Sequence, residues 1–154
     1  METLEVKNFL EIQNLKETLQ KLTSQTSAVF GNMKPQEMVE HLILSIDSSY
    51  KTPYNPEKQP TEQQTQLKKV FLVNKFPKNI KSQLYKNGFP ALIFDNLELA
   101  IENLAQSIEK FKTHFQQNPT MLYYNGNFGS IGFEELKTFH QSHIAHHFEQ
   151  FNLI

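Results

Sequence analysis

The chain has 154 residues, of which 38% are hydrophobic and 12% aromatic, and its formal net charge is −1. It contains no cysteine, which excludes disulfides, thiolate metal sites and cysteine nucleophiles. All fifteen basic residues are lysine, and no basic stripe is present, so we expect no nucleic-acid partner. Apolar runs are no longer than four residues and no signal-peptide pattern is present. We therefore expect a soluble cytoplasmic protein with no membrane partner.

Apolar residues spaced three and four apart predict four long helices, over residues 2–22, 35–50, 95–117 and 132 to the end of the chain. Asp95 is the expected N-cap of the third helix, with Glu98 completing a capping box. A short helix is expected over 61–73, within a connection that is much longer than two adjacent helices need. This pattern favours an all-α protein, an antiparallel four-helix bundle with a long crossover between helices 2 and 3, folded as a single domain over residues 1–154.

Histidines are the residues most indicative of chemistry, because four of the six lie in residues 140–147. His143 and His147 are four residues apart and share the core-facing side of the last helix, a spacing that can chelate one metal ion. His41 lies in the middle of the second helix on an apolar face. The alternatives are hydrogen-bonded structural histidines, or a partly exposed, pH-sensitive helix end. His114, near the end of the third helix, is expected at the surface, where it would complement the helix C-terminus.

Three segments carry a resemblance to a known family. They are FGNMKPQEMVEHL, NPTMLYYNGNFGSIGFEEL and HIAHHFEQF, at residues 30–42, 118–136 and 143–151. At these segments the chain resembles the DinB-like, YfiT-like family of metal-dependent four-helix bundles, in a branch of unassigned function. The last segment is similar to the family's His-x-x-His-His motif, with a glutamine three residues on. Residues 54–90 are too divergent to compare.

The resemblance implies a divalent metal ion, zinc or nickel, held by His41, His143 and His147. It also implies that His146, which belongs to the same motif, is not a ligand. Three neutral imidazoles leave at least one coordination position open, as in catalytic sites. The function so implied is a metal-dependent enzyme acting on a small molecule, either as a thiol transferase with a low-molecular-weight thiol or as a hydrolase. The alternative is a non-catalytic metal-binding or small-molecule-binding bundle.

Candidates for a general base are Glu37, one turn before His41, and His140, one turn before His143. A homodimer is a candidate assembly.

Overall fold

A computed structural model describes residues 7–73 and 88–154, and this part of the chain is mostly helical with one small sheet. The elements are α1 (Ile12–Leu19), α2 (Pro35–Ser48), α3 (Glu62–Val73), α4 (Leu97–Gln117), β1 (Tyr123–Asn125), β2 (Gly129–Ile131) and α5 (Phe133–Gln150). Each expected helix is present, including the short one. Within residues 7–73 and 88–154, no helix is both long and apolar enough to cross a membrane.

The first helix is shorter than the expected range of 2–22. Residues 1–6 lie outside the described part of the chain, and α1 begins only at Ile12. Before it, the Asn8 side chain accepts a hydrogen bond from the backbone two residues on, and the Phe9 N–H donates to the Gln141 side chain over 2.7 Å. These bonds hold residues 8–10 in a turn against α5. The N–H groups of Phe9 and Leu10 bond to side chains and not to helical carbonyl groups.

Helix α4 begins one residue later than expected. Asn96, rather than Asp95, is its N-cap, and the Asn96 side chain accepts a hydrogen bond from Leu99 N over 2.9 Å. Both residue types cap helices well, so composition alone does not distinguish the two positions. Helix α5 begins where expected, with the Glu135 carboxylate accepting a hydrogen bond from Gly132 N.

A β-hairpin precedes α5, so the fold is not purely helical. β1 pairs antiparallel with β2, and Asn125 faces Gly129 across the loop. The Asn125 side chain accepts hydrogen bonds from the backbone N–H groups of Asn127 and Phe128. The Asn125–Gly126 dipeptide is a typical hairpin signal, which helical periodicity does not detect.

The main helix contacts join α1 to α4, α4 to α2, α2 to α5 and α5 to α3, so α2 is the middle helix of this series. Two contacts give the direction of α2 relative to α5. His41 meets His143, and Ser49, at the end of α2, meets His140. A step forward along α2 therefore corresponds to a step backward along α5, and the two helices run antiparallel.

Aromatic rings from α4 and α5 fill part of the core. Phe111 is fully buried, and its ring centroid lies 5.2 Å from Phe115, 5.6 Å from Phe133 and 5.2 Å from the His140 ring. Edge-to-face and tilted arrangements at these distances are favourable beyond the area that they bury.

Replacing this ring tests the packing. We expect Phe111→Ala to lower the free energy of unfolding by about 3–5 kcal/mol, because it leaves a cavity among rings of α4 and α5. Leu99→Ala on the same helix is the matched control, since Leu99 is 45% exposed, and its effect should stay within about 0.5 kcal/mol. Urea unfolding of both variants measures this; equal effects would contradict the described core.

Candidate metal centre

Three histidines from two helices converge at one point. His41 comes from α2, and His143 and His147 come from successive turns of one face of α5. Their ring centroids form a nearly equilateral triangle with sides of 4.8, 4.9 and 4.8 Å. His143 Nε2 lies 2.9 Å from His41 Nε2 and 3.1 Å from His147 Nε2. The structure thus brings together the three residues that the resemblance implies, with one potential ligand atom from each within 4.8 Å of the others.

These imidazoles are held in their neutral form. His143 and His147 are buried and His41 is half-buried. Burial lowers the pKa of His41 to about 4, with a further contribution from His146. Burial also lowers the pKa of His147 to about 3, helped by the neighbouring His41. The pKa of His143 is well below its usual value, first through burial and then through His147 and His41. Neutral imidazole is the form that binds a metal ion.

The donor set fits a divalent cation. An imidazole nitrogen carries either one hydrogen or one lone pair, so His143 Nε2 can make only one good hydrogen bond with the two nitrogens that it faces. A cation would instead accept a lone pair from all three. Tetrahedral coordination by zinc at 2.0–2.1 Å places ligand nitrogens about 3.3 Å apart. The observed separations of 2.9 and 3.1 Å are within half an ångström of that value.

Gln150 is a polar neighbour of this cluster, and from the sequence it could be either a hydrogen-bond partner of a metal ligand or simply a polar residue at the end of the helix. Its Oε1 lies 2.7 Å from His147 Nδ1, and its Nε2 lies 3.2 Å from the Phe30 carbonyl oxygen. The backbone carbonyl oxygen of Gln150 accepts a hydrogen bond from Val29 N over 2.7 Å. The end of α5 is thus joined to the segment before α2, a contact between residues distant in sequence.

The two candidate bases lie outside the group of converging nitrogens. His140 is buried, its Nε2 bonds to Ser49 Oγ over 3.0 Å, and burial lowers its pKa to about 3. Because Ser49 Oγ donates its hydrogen to the Ile46 carbonyl, His140 Nε2 is the donor in that pair. The Glu37 carboxylate accepts a hydrogen bond from Lys34 N over 2.9 Å and so completes the first turn of α2.

The last two histidines have other surroundings. The His146 ring is half-buried, 5.5 Å from the Phe30 ring and 5.1 Å from the His147 ring. His114 is not the surface residue that was expected. It is half-buried, bonds through Nε2 to the Tyr123 hydroxyl, and packs 4.8 Å from the Tyr50 ring. The hairpin, which brings Tyr123 to this position, accounts for the difference.

The buried imidazoles make acid destabilising for the metal-free protein. In the unfolded chain they take up protons near pH 6.5, whereas burial lowers the pKa of His41, His140, His143 and His147 in the folded state. The free energy of unfolding should therefore fall as pH drops below about 6.5, by up to about 1.4 kcal/mol per pH unit for each imidazole, until pH approaches the folded-state values. Urea unfolding with chelator between pH 7.5 and 5 measures this; an unchanged free energy would contradict the described burial.

Comparison with known proteins identifies a family but no characterised relative. The model of a family described as "Protein of unknown function (DUF1569)" matches residues 2–153, which is nearly the whole chain. A search of curated proteins finds no match, and a search of solved structures finds none either. The chain, with its histidine cluster between α2 and α5, therefore belongs to the DUF1569 family, whose function is not known.

Proposed function

We propose that this protein is a metal-dependent enzyme with a divalent ion, zinc or nickel, held by His41, His143 and His147. The observation that carries the proposal is the convergence of three Nε2 atoms from two packed helices, in a cluster whose donors lie within 4.8 Å of one another. In fold terms, we propose a single-domain, DinB-like four-helix bundle of α1, α2, α4 and α5. The long connection that contains α3 is its crossover.

The neighbours of the cluster support an anionic substrate group. A carboxylate beside these imidazoles would raise their pKa, but the groups that shift the pKa of His41, His143 and His147 are other imidazoles and Gln150, with no carboxylate of the described residues among them. Three neutral ligands would leave the full positive charge of a divalent ion uncompensated in a largely buried site. Such an ion would supply Lewis acidity at its remaining coordination position. A thiolate suits that position, so we propose transfer to a low-molecular-weight thiol, with hydrolysis of a small molecule as the other chemistry.

The second candidate function is a non-catalytic metal-binding or small-molecule-binding bundle, and it is supported by the origin of the three imidazoles from two helices that a bound ion would join. Two surface clefts lie away from the cluster. One is lined by residues 117–122 with Pro53, Tyr54 and Pro56, and the other lies between α1 and α4. Neither is lined by a histidine. In this function the ion would stabilise the contact between α2 and α5, the two helices that supply the three imidazoles. Cytoplasmic location and homodimer assembly remain predictions.

Metal content is the first test of the proposal. We expect protein purified without a histidine tag to bind about one zinc or nickel ion per chain, and His41→Ala to lose most of it, because only two ligands remain. His146→Ala is the matched control, since it removes an imidazole of α5, next to His147, that is not in the converging group. Elemental analysis and zinc titration measure both variants.

The outcomes separate the site from adventitious binding. A metal-free wild-type protein that takes up neither zinc nor nickel would refute the proposal. Equal metal content in His41→Ala and the wild type would show that the ion binds elsewhere. Loss of metal in His146→Ala alone would mean that the wrong imidazoles were assigned.

Thiol binding distinguishes the enzyme from the non-catalytic bundle. We expect the protein loaded with nickel to develop a sulfur-to-metal charge-transfer band when a small thiol is added, because a thiolate can occupy the open coordination position. His41→Ala should show no such band. A nickel-loaded wild-type protein whose spectrum does not change with thiol would contradict thiol transfer and favour the non-catalytic function or hydrolysis.

A further inference from the structure

We infer that Gln150 is a positioning residue of this centre, which holds His147 Nε2 in its metal-binding form and is itself held by the Phe30–Gly31 segment. This inference rests on the proposed metal site. It concerns a residue that would not itself touch the ion.

The hydrogen bonds of the Gln150 amide assign the tautomer of His147. The Phe30 carbonyl oxygen can only accept, so the amide nitrogen of Gln150 must face it, at 3.2 Å. The amide oxygen then faces His147 Nδ1 at 2.7 Å and can only accept, so Nδ1 must carry the hydrogen. With its hydrogen on Nδ1, neutral His147 presents an unprotonated Nε2 toward His143 Nε2, 3.1 Å away. That lone pair is the one a metal ion requires.

The segment before α2 fixes the amide in turn. Gly31 has φ +72°, a conformation that side chains with a Cβ rarely adopt, and a Cβ placed there would lie 3.0 Å from Gln150 Nε2. The backbone at Gly31 therefore packs directly on the amide. A backbone hydrogen bond of 2.7 Å, from Val29 N to the backbone carbonyl oxygen of Gln150, holds the residue before this segment against the end of α5. The Gln150 side chain thus has one contact to a ligand and two to this segment.

Two substitutions at Gln150 separate positioning from a merely structural role. Gln150→Ala removes both hydrogen bonds of the amide, and we expect the Kd for zinc to rise about 10–100-fold. Gln150→Glu loses the donor to Phe30 but keeps an acceptor facing His147 Nδ1, so zinc should bind at least as tightly as in the wild type. Zinc alone is the probe, titrated at pH 7.5 against a competing chelator.

The same two variants give the contradicting outcomes. A purely structural Gln150 would weaken zinc binding equally in both variants, since both lose the bond to Phe30. That result, or unchanged affinity in Gln150→Ala, would overturn the inference while leaving the metal site intact. Failure of the proposed function is a different result, in which the wild type itself binds no zinc. Urea unfolding of the metal-free variants shows that both are folded.

A pair of glycine variants tests the role of the segment. Gly31→Ala strains the backbone and brings a methyl group against the Gln150 amide, so we expect the Kd for zinc to rise at least threefold, although no ligand is touched. Gly88→Ala is the matched control. Gly88 has φ +99°, and a Cβ there would meet no described atom within 4 Å. Its Kd should stay within twofold of the wild type. Equal Kd values for the two variants would refute coupling between this segment and the site.

Discussion

Burial of imidazoles between α2 and α5 is the constraint on which the rest of this structure depends. A polar group removed from water without a hydrogen-bond partner destabilises the fold, so each buried histidine needs a specific neighbour. His140 bonds to Ser49, the residue that follows α2, and His147 bonds to Gln150, one turn along α5. The contact of His140 with Ser49 requires the antiparallel register of α2 and α5, whereas the contact of His147 with Gln150 requires only the helical geometry of α5. The pairing of α2 with α5 is therefore specified by polar groups as well as by packing. The Nε2 atoms of His41, His143 and His147 are not used in these two contacts, and they face one another.

Hydrogen bonds to residues distant in sequence hold the chain on both sides of His41. On one side, the Phe30–Gly31 segment is bonded to the end of α5 through Gln150. On the other, the Glu40 carboxylate accepts hydrogen bonds from the backbone of Ile93, over 2.7 Å, and of Phe94. Glu40 precedes His41 directly, so the chain that leads into α4 is attached to α2 beside the cluster. A candidate site built on two helices and fixed from two further segments is better ordered than one placed on loops.

Local patterns in the sequence account for the helices and for the pairing of His143 with His147, because a spacing of four residues puts both on one face. The place of His41 opposite them came from the resemblance, since no local spacing relates residues on different helices. What could not be predicted depends on contacts between distant residues. The turn at Asn8 is held by Gln141, the environment of His114 depends on Tyr123, and the partner of Gln150 is the carbonyl of Phe30. Periodicity carries no signal for such pairs. The hairpin is a different case, because the Asn125–Gly126 dipeptide signals it locally but does not contribute to helical periodicity.

The difference between His140 and the converging histidines bears on what the site is for. His140 is 1% exposed and bonded within the core, and it contributes to packing among the rings of Phe111 and Phe139. The three other imidazoles pack against one another, with ring centroids 4.8 and 4.9 Å apart, and apolar side chains of similar volume would fill the same space without removing polar nitrogens from water. Buried polar clusters that weaken a fold in this way are found at functional sites. His41 is half-buried whereas His143 and His147 are buried, so the least covered of the three imidazoles is the one that α2 supplies.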